Sequence, residues 1–184
     1  MKTRSAIFLT VAMASGIVSV FSAPARAQDF KVCNSTFALC TIAACDPIPG
    51  NDKQVACHCT INHSYSAGQE ECSGVKDTPT GQQIRSRYYP VHSYAICSND
   101  RPWAWCLDKP CLIDKNNPEA ASCVCDVVKN LGDYVIVTTE DTPATCTTGV
   151  ISSATVAQIT QITDYIKTKA QKKLTAFNIQ VLNK

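Results

Sequence analysis

The chain has 184 residues, 45% of them apolar, with seventeen Lys and Arg, fifteen Asp and Glu, and twelve cysteines. Three of the basic residues, Lys2, Arg4 and Arg26, fall in a leader segment, and without them the net charge is about −1, which argues against bulk nucleic-acid binding because that calls for a strong basic excess. Nothing after the leader is apolar over the ~20 residues that span a bilayer, and an even cysteine count in a small chain points to disulfides made in an oxidising compartment.

The leader reads as a signal peptide. Lys2 and Arg4 precede an apolar run from Ala6 to Phe21, and Ala25-Arg26-Ala27 follows it. Charge, apolar run and small-residue site in that order predict secretory cleavage before Gln28, so residues 1–27 are removed. A membrane anchor is the weaker reading, since the run is short of bilayer thickness. The mature chain is expected to be secreted or periplasmic.

All twelve cysteines follow, and their spacing repeats. Cys40, Cys45, Cys57 and Cys59 read C-x4-C-x11-C-x-C, and Cys106, Cys111, Cys123 and Cys125 read the same. Cys33 and Cys97 stand seven and nine residues upstream, while Cys72 and Cys146 close the two sets. Two tandem six-cysteine repeats are therefore expected, 28–75 and 96–150, joined by a linker over 76–95 and followed by a C-terminal segment over 151–184. Units of this size bury little apolar surface and are usually stapled by disulfides. Every bridge is expected inside its own repeat, with the partners left open among fifteen connectivities per repeat. Neighbouring cysteines of an extended C-x-C point the same way, so each should reach a different partner.

In chain order, Asn34, Ser35 or Thr36 offers a cap for a short helix near Phe37, and Asn99 or Asp100 with Pro102 does the same for one near Trp103. Turn residues Asp46 to Gly50 and Asn116 to Pro118 end these helices. Val55 to Ile61 and Cys123 to Val128 read as strands with the cysteines on one face and His58 and Val124 on the other. Tyr134 to Thr139 reads as a second strand in the later repeat. Thr155 with Gln158 has capping-box spacing, and Val156, Ile159, Ile162, Ile166, Ala170 and Leu174 form one helical stripe. Lys167, Lys169, Lys172 and Lys173 gather at its C-terminal end, where cations complement the dipole. Residues 177–184 read as a strand or a loose tail. The fold class implied is α+β, a short helix over a hairpin in each repeat, closed by an amphipathic helix.

Few residues suggest chemistry. Cys57, His58, Cys59 and His63 have soft and imidazole donors suited to zinc or copper, but the second repeat keeps its C-x-C with no histidine, so disulfides with surface histidines is the preferred reading. Trp103 and Trp105, with Arg101, resemble binding hot spots. Two apart on a helix they cannot share a face, and Trp103 is expected buried with Trp105 partly exposed. Arg85, Arg87, Tyr88 and Tyr89 alternate cations and aromatics in a way that suits a phosphate or sugar surface, or a linker strand laid against a repeat. Hydrolase, P-loop and dinucleotide motifs are missing. The function expected is a non-catalytic binding, inhibitory or structural module without cofactor, whose partner is a protein or glycan outside the cytoplasm. A metal-binding protein using the Cys/His cluster is the second reading, and a small secreted hydrolase the third.

Overall fold

The two C-x-C segments are extended, as their alternation predicts, and they pair with each other at the centre of the molecule. In the computed structural model, which describes residues 30–89, 91–98, 101–147, 149–170, 172–173 and 179–183, the strands are β1 (Lys31–Leu39), β2 (Cys45–Ile48), β3 (Asn51–Gly68), β4 (Lys76–Thr78), β5 (Gly81–Arg85), β6 (Ser93–Cys97), β7 (Trp103–Trp105), β8 (Pro110–Ile113), β9 (Ala120–Val128), β10 (Tyr134–Val137), β11 (Ser152–Ser153) and β12 (Gln180–Val181), with α1 (Val156–Lys169) before the last. The expected signal peptide lies outside the described residues, as do the cap candidates Asn99 and Asp100 and the stripe residue Leu174.

Nine strands make one sheet, with β1-β3-β9-β8-β5-β4 as its main path, and β10-β6-β12 make a second. At the middle of the first, Cys57 lies opposite Cys123 in the antiparallel β3–β9 pair. Cys45 is opposite Cys57 across β2–β3, and Cys111 is opposite Cys123 across β8–β9. Four cysteines thus stand abreast on adjacent strands and share one face, because directly opposed residues point the same way. They close as Cys45–Cys57 and Cys111–Cys123, and the C-x-C neighbours close as Cys40–Cys59 and Cys106–Cys125. Cys33–Cys72 and Cys97–Cys146 complete six bridges, with no free cysteine. Each C-x-C cysteine does reach a different partner, and each bridge stays within its own set of six.

The α+β expectation is overturned. The segments read as helices at Phe37 and Trp103 are strands, and α1 is the one α-helix among the described residues. β1 pairs with β3 along its whole length, Lys31 opposite Gly68 through Leu39 opposite Thr60, and β7 pairs with β9 from Trp103 opposite Val128 to Trp105 opposite Asp126. Local cap signals were outweighed by this ladder. The pattern itself was ambiguous, since Cys33 and Phe37, both buried, are four apart and share a face in either a helix or a strand. The stretch 76–95 expected as linker holds β4, β5 and the start of β6.

Strand registers repeat along with the bridges. Counted from the C-x-C cysteines, Phe37 opposite Asn62 corresponds to Trp103 opposite Val128. Further out the single long β1–β3 ladder is matched by two pieces, β7–β9 and β6–β10, because the second half carries two extra residues on each strand between them. The segments that follow each half cross over reciprocally. Ser86 N bonds Lys109 O at 2.9 Å, and Ser152 N bonds Ala43 O at 2.9 Å. Ile84 pairs opposite Cys111 in β5–β8, while Ile151 bridges Ala44. Each half therefore lends its downstream chain to the short strand of the other.

α1 covers both halves at once. Its N-cap Thr155 and Gln158 form the expected capping box. Ile162 and Ile166 pack with Phe30, Ala67 and Leu107, while Ile159 packs with Tyr94, Val135 and Ala154. The amphipathic stripe is read correctly from sequence up to Ala170, which is also buried.

Candidate recognition site

The residues singled out from sequence do not converge on one surface. Cys57 and Cys59 are buried and oxidised in bridges, and their pairings leave no thiolate for a metal. His58 and His63 are exposed along β3, five residues apart and so on opposite faces of the strand; His58 Nε2 meets Asp46 Oδ2 at 2.8 Å and His63 Nδ1 meets Thr36 Oγ1 at 2.8 Å. The bridged sulfurs are close-packed, with Cys40 Sγ 3.3 Å from Cys123 Sγ across the two halves.

Trp103 is buried and Trp105 half-buried, as expected, but for a different reason. On a strand, residues two apart share a face, so both indoles point inward and stack with centroids 6.4 Å apart, and Trp103 also stacks on Tyr134 at 5.9 Å. They are core, beside the Cys97–Cys146 bridge. Arg101 is exposed and donates from Nη1 to Thr147 O at 2.9 Å.

Arg87, expected at a binding surface, is 3% exposed. Its Nε donates to Ser66 Oγ at 3.0 Å, Nη1 to Glu70 O at 3.2 Å and Nη2 to Lys31 O at 2.5 Å, with Asp108 Oδ1 3.6 Å from Nη1. Burial pulls the guanidinium pKa down, the Asp108 charge opposes that, and Arg85 adds to the lowering. Arg85 itself donates to Asp108 O at 2.5 Å, and Asp108 Oδ2 accepts from Gln69 N at 2.6 Å. This knot ties the β1–β3 end of the first half to the loop after Cys106. Tyr88 packs against α1, where burial and then the Asp108 charge push its phenol well above the ordinary range. Of the four residues Arg85 to Tyr89 picked for a recognition surface, Tyr89 alone is mainly solvent-facing, at 40% exposed, and it stacks on Phe37.

Tyr89 belongs to a site that the sequence reading missed. A cavity of about 50 Å³ lies between α1 and the strands, lined by Ile159, Ile162 and Ile166 from the helix and by Val135 and Val137 from β10. Its most exposed lining residues are Ile42, at 48%, and Tyr89. Ile42 holds φ 54° in the turn after Cys40, where its counterpart after Cys106, Asp108, holds φ 56°. An Asp tolerates that left-handed conformation, but a β-branched residue there is an outlier and costs roughly 1–2 kcal/mol. Ile42 is thus a strained, solvent-facing isoleucine that lines the same apolar opening as the exposed Tyr89. The one sequence signal for it was an isoleucine in the four-residue segment between Cys40 and Cys45.

No protein-family model matches this chain, and no curated protein or solved structure is similar to it.

Proposed function

We propose that the chain is an exported binding module without catalytic activity, built from two copies of one six-cysteine unit, which engages a protein outside the cytoplasm through the apolar opening at Ile42 and Tyr89. Six bridges suit an oxidising extracellular setting, and none of the described helices is long and apolar enough to cross a membrane. The equal bridge separations of 19 and 12 residues in both halves support the duplication. The observation that carries the binding role is Ile42, an apolar side chain kept exposed at positive φ.

Size decides what enters. Cavities that take up a benzene-sized molecule run to roughly 150 Å³, about three times the volume found here. The opening suits the aliphatic tip of one anchoring side chain, the usual form of a hot spot at a protein interface.

Replacing Ile42 by Gly relieves the strained backbone and removes the apolar contact together. The expected result is a melting midpoint raised by the equivalent of about 1 kcal/mol, with at least a tenfold loss of affinity for peptides selected on the native protein from a displayed library. Leu131→Ser, at the most exposed large apolar residue among the described ones and 59% open, is the control and should leave that affinity unchanged. Selected peptides that bind Ile42→Gly as tightly as the native chain would refute the assignment.

A further inference from the structure

We propose that the sulfurs at the centre of the molecule form two thiol–disulfide exchange sites, at which a dithiol reductant converts bridges within the halves into a bridge between them. Sheet register brings the sulfurs together. Cys45, Cys57, Cys123 and Cys111 stand in one row across β2, β3, β9 and β8, so the bridges Cys45–Cys57 and Cys111–Cys123 meet at the β3–β9 seam. The other C-x-C bridge of each half then reaches over that seam. Cys40 Sγ, bridged to Cys59, is 3.3 Å from Cys123 Sγ, and the Sγ atoms of Cys40, Cys59 and Cys123 all lie within 4.8 Å of one another. Those of Cys106, Cys125 and Cys57, the equivalent positions in the cysteine spacing, are grouped within the same distance. Each group therefore holds one whole bridge and one sulfur of a bridge belonging to the other half.

A thiolate attacks a disulfide sulfur and displaces the partner sulfur as a new thiolate. A dithiol that attacks Cys59 Sγ releases Cys40 as a thiolate, and its second thiol then frees Cys59 and closes the reagent into its own disulfide. The Cys40 thiolate bonds to Cys123 Sγ, the Cys111–Cys123 bond breaks, and Cys111 leaves as a thiolate that takes up a proton. Two bridges and one dithiol thus become one Cys40–Cys123 bridge, thiols at Cys59 and Cys111, and one oxidised dithiol. The equivalent step joins Cys106 to Cys57 and frees Cys125 and Cys45. Entry is from the first half. Cys45 and Cys40, at 8% and 5%, are the most exposed of these eight cysteines, and both flank the turn strained at Ile42, whose local opening admits the reductant. The new bridge spans 83 residues where the lost ones spanned 19 and 12. A longer closed loop restricts the unfolded chain more, which offsets part of the loss of two short ones. On meeting a reductant the molecule gains a covalent tie across the β3–β9 seam.

Cys111→Ser tests the step without any reductant, because it leaves Cys123 as a thiol beside Cys40. The folded variant is held at pH ~8.5, near the ordinary thiol pKa, trapped with N-ethylmaleimide and digested without reduction. Peptides from residues 28–76 should be found joined to peptides from 96–150, with Cys40 linked to Cys123 and the maleimide on Cys59. Cys146→Ser is the control: its free Cys97 packs among Trp103, Val128 and Tyr134, and no such joined peptides should form. The unaltered chain, given a limiting amount of dithiothreitol and trapped in the same way, should yield Cys40–Cys123 or Cys57–Cys106, and this arm decides the matter if Cys111→Ser does not fold. A folded Cys111→Ser that carries the maleimide on Cys123 and keeps Cys40–Cys59 would overturn the proposal. So would an unaltered chain that shows links only within its halves after dithiothreitol. Links between the halves in Cys146→Ser, or spread over many cysteine pairs, would mean unspecific scrambling and also overturn it.

Discussion

At the residue scale, two ion pairs differ in weight because one is buried and the other lies nearer the surface. Gly68 leaves space that a side chain would need, since an added Cβ would meet Asp108 Oδ1 and lie 2.8 Å from Arg87 Nη1. Gly68→Ala should therefore separate the Arg87–Asp108 pair and leave a buried charge poorly compensated, at a cost of about 3 kcal/mol in urea unfolding. A change under about 0.5 kcal/mol would mean that the knot adjusts freely. Lys109 and Asp126 form a second pair nearer the surface, with Gln54 also donating to the carboxylate at 3.2 Å. Burial alone would raise the Asp126 pKa, but the hydrogen bonds from Lys109 and Gln54 and the lysine charge outweigh it and hold the group below its ordinary value. A depressed carboxylate stabilises the fold above its unfolded pKa of ~3.9 and loses that contribution as pH falls through the folded value. Lys109→Met should thus be less stable than the native chain at pH 7, by at most about 1 kcal/mol for so exposed a pair. The gap should close below pH ~3.9. A gap that stays constant down to acid pH would put the effect on lysine packing instead.

At the element scale, α1 is the piece whose removal would matter most, since its stripe closes two apolar clusters. Ile159, Ile162 and Ile166 are all buried, with Ile162 and Ile166 in the cluster of Phe30 and Ala67 and Ile159 in that of Tyr94 and Val135. Ile162→Asp places an unpaired charge in that packing and should cost several kcal/mol. An unchanged thermal melt would show that the helix stands clear of the sheets. The helix was legible in the sequence because a run of isoleucines at three- and four-residue steps behind a capping box has one reading. The short segments at Phe37 and Trp103 lacked that length. With a few residues each, cap signals and alternation were both satisfied, and only pairing with β3 and β9 could choose between them. Trp105 carries the lesson in miniature: its half-burial was anticipated on helical geometry and is produced by strand geometry, with both indoles on the same face.

At the scale of the whole molecule, covalent and noncovalent organisation differ. Bridges divide the chain into two sets, 33–72 and 97–146, whereas β3–β9 pairing and the crossed segments at Ser86 and Ser152 join them. One proteolytic cut between Gly74 and Lys76 should therefore give two pieces that migrate together in native buffer and separate in denaturant without reductant. Pieces that separate already in native buffer would refute the interlocked architecture, and pieces that need reductant would refute the pairing.

The cysteine spacing by itself determined that bridges would form within each set and that the C-x-C cysteines would take different partners, because covalent geometry and the two-residue alternation of a strand leave little freedom. The isoleucine stripe behind the Thr155 and Gln158 capping box likewise determined α1, whose periodicity is local. Sequence did not determine that the first half's Cys57 stands opposite the second half's Cys123, that Arg87 is buried beside Asp108, or that Ile42 stands at the mouth of a cavity. Each of those depends on residues far apart in the chain brought together by sheet register and by the reciprocal crossing of the segments after each half. A register is a property of two strands at once, and no single stretch of sequence specifies it.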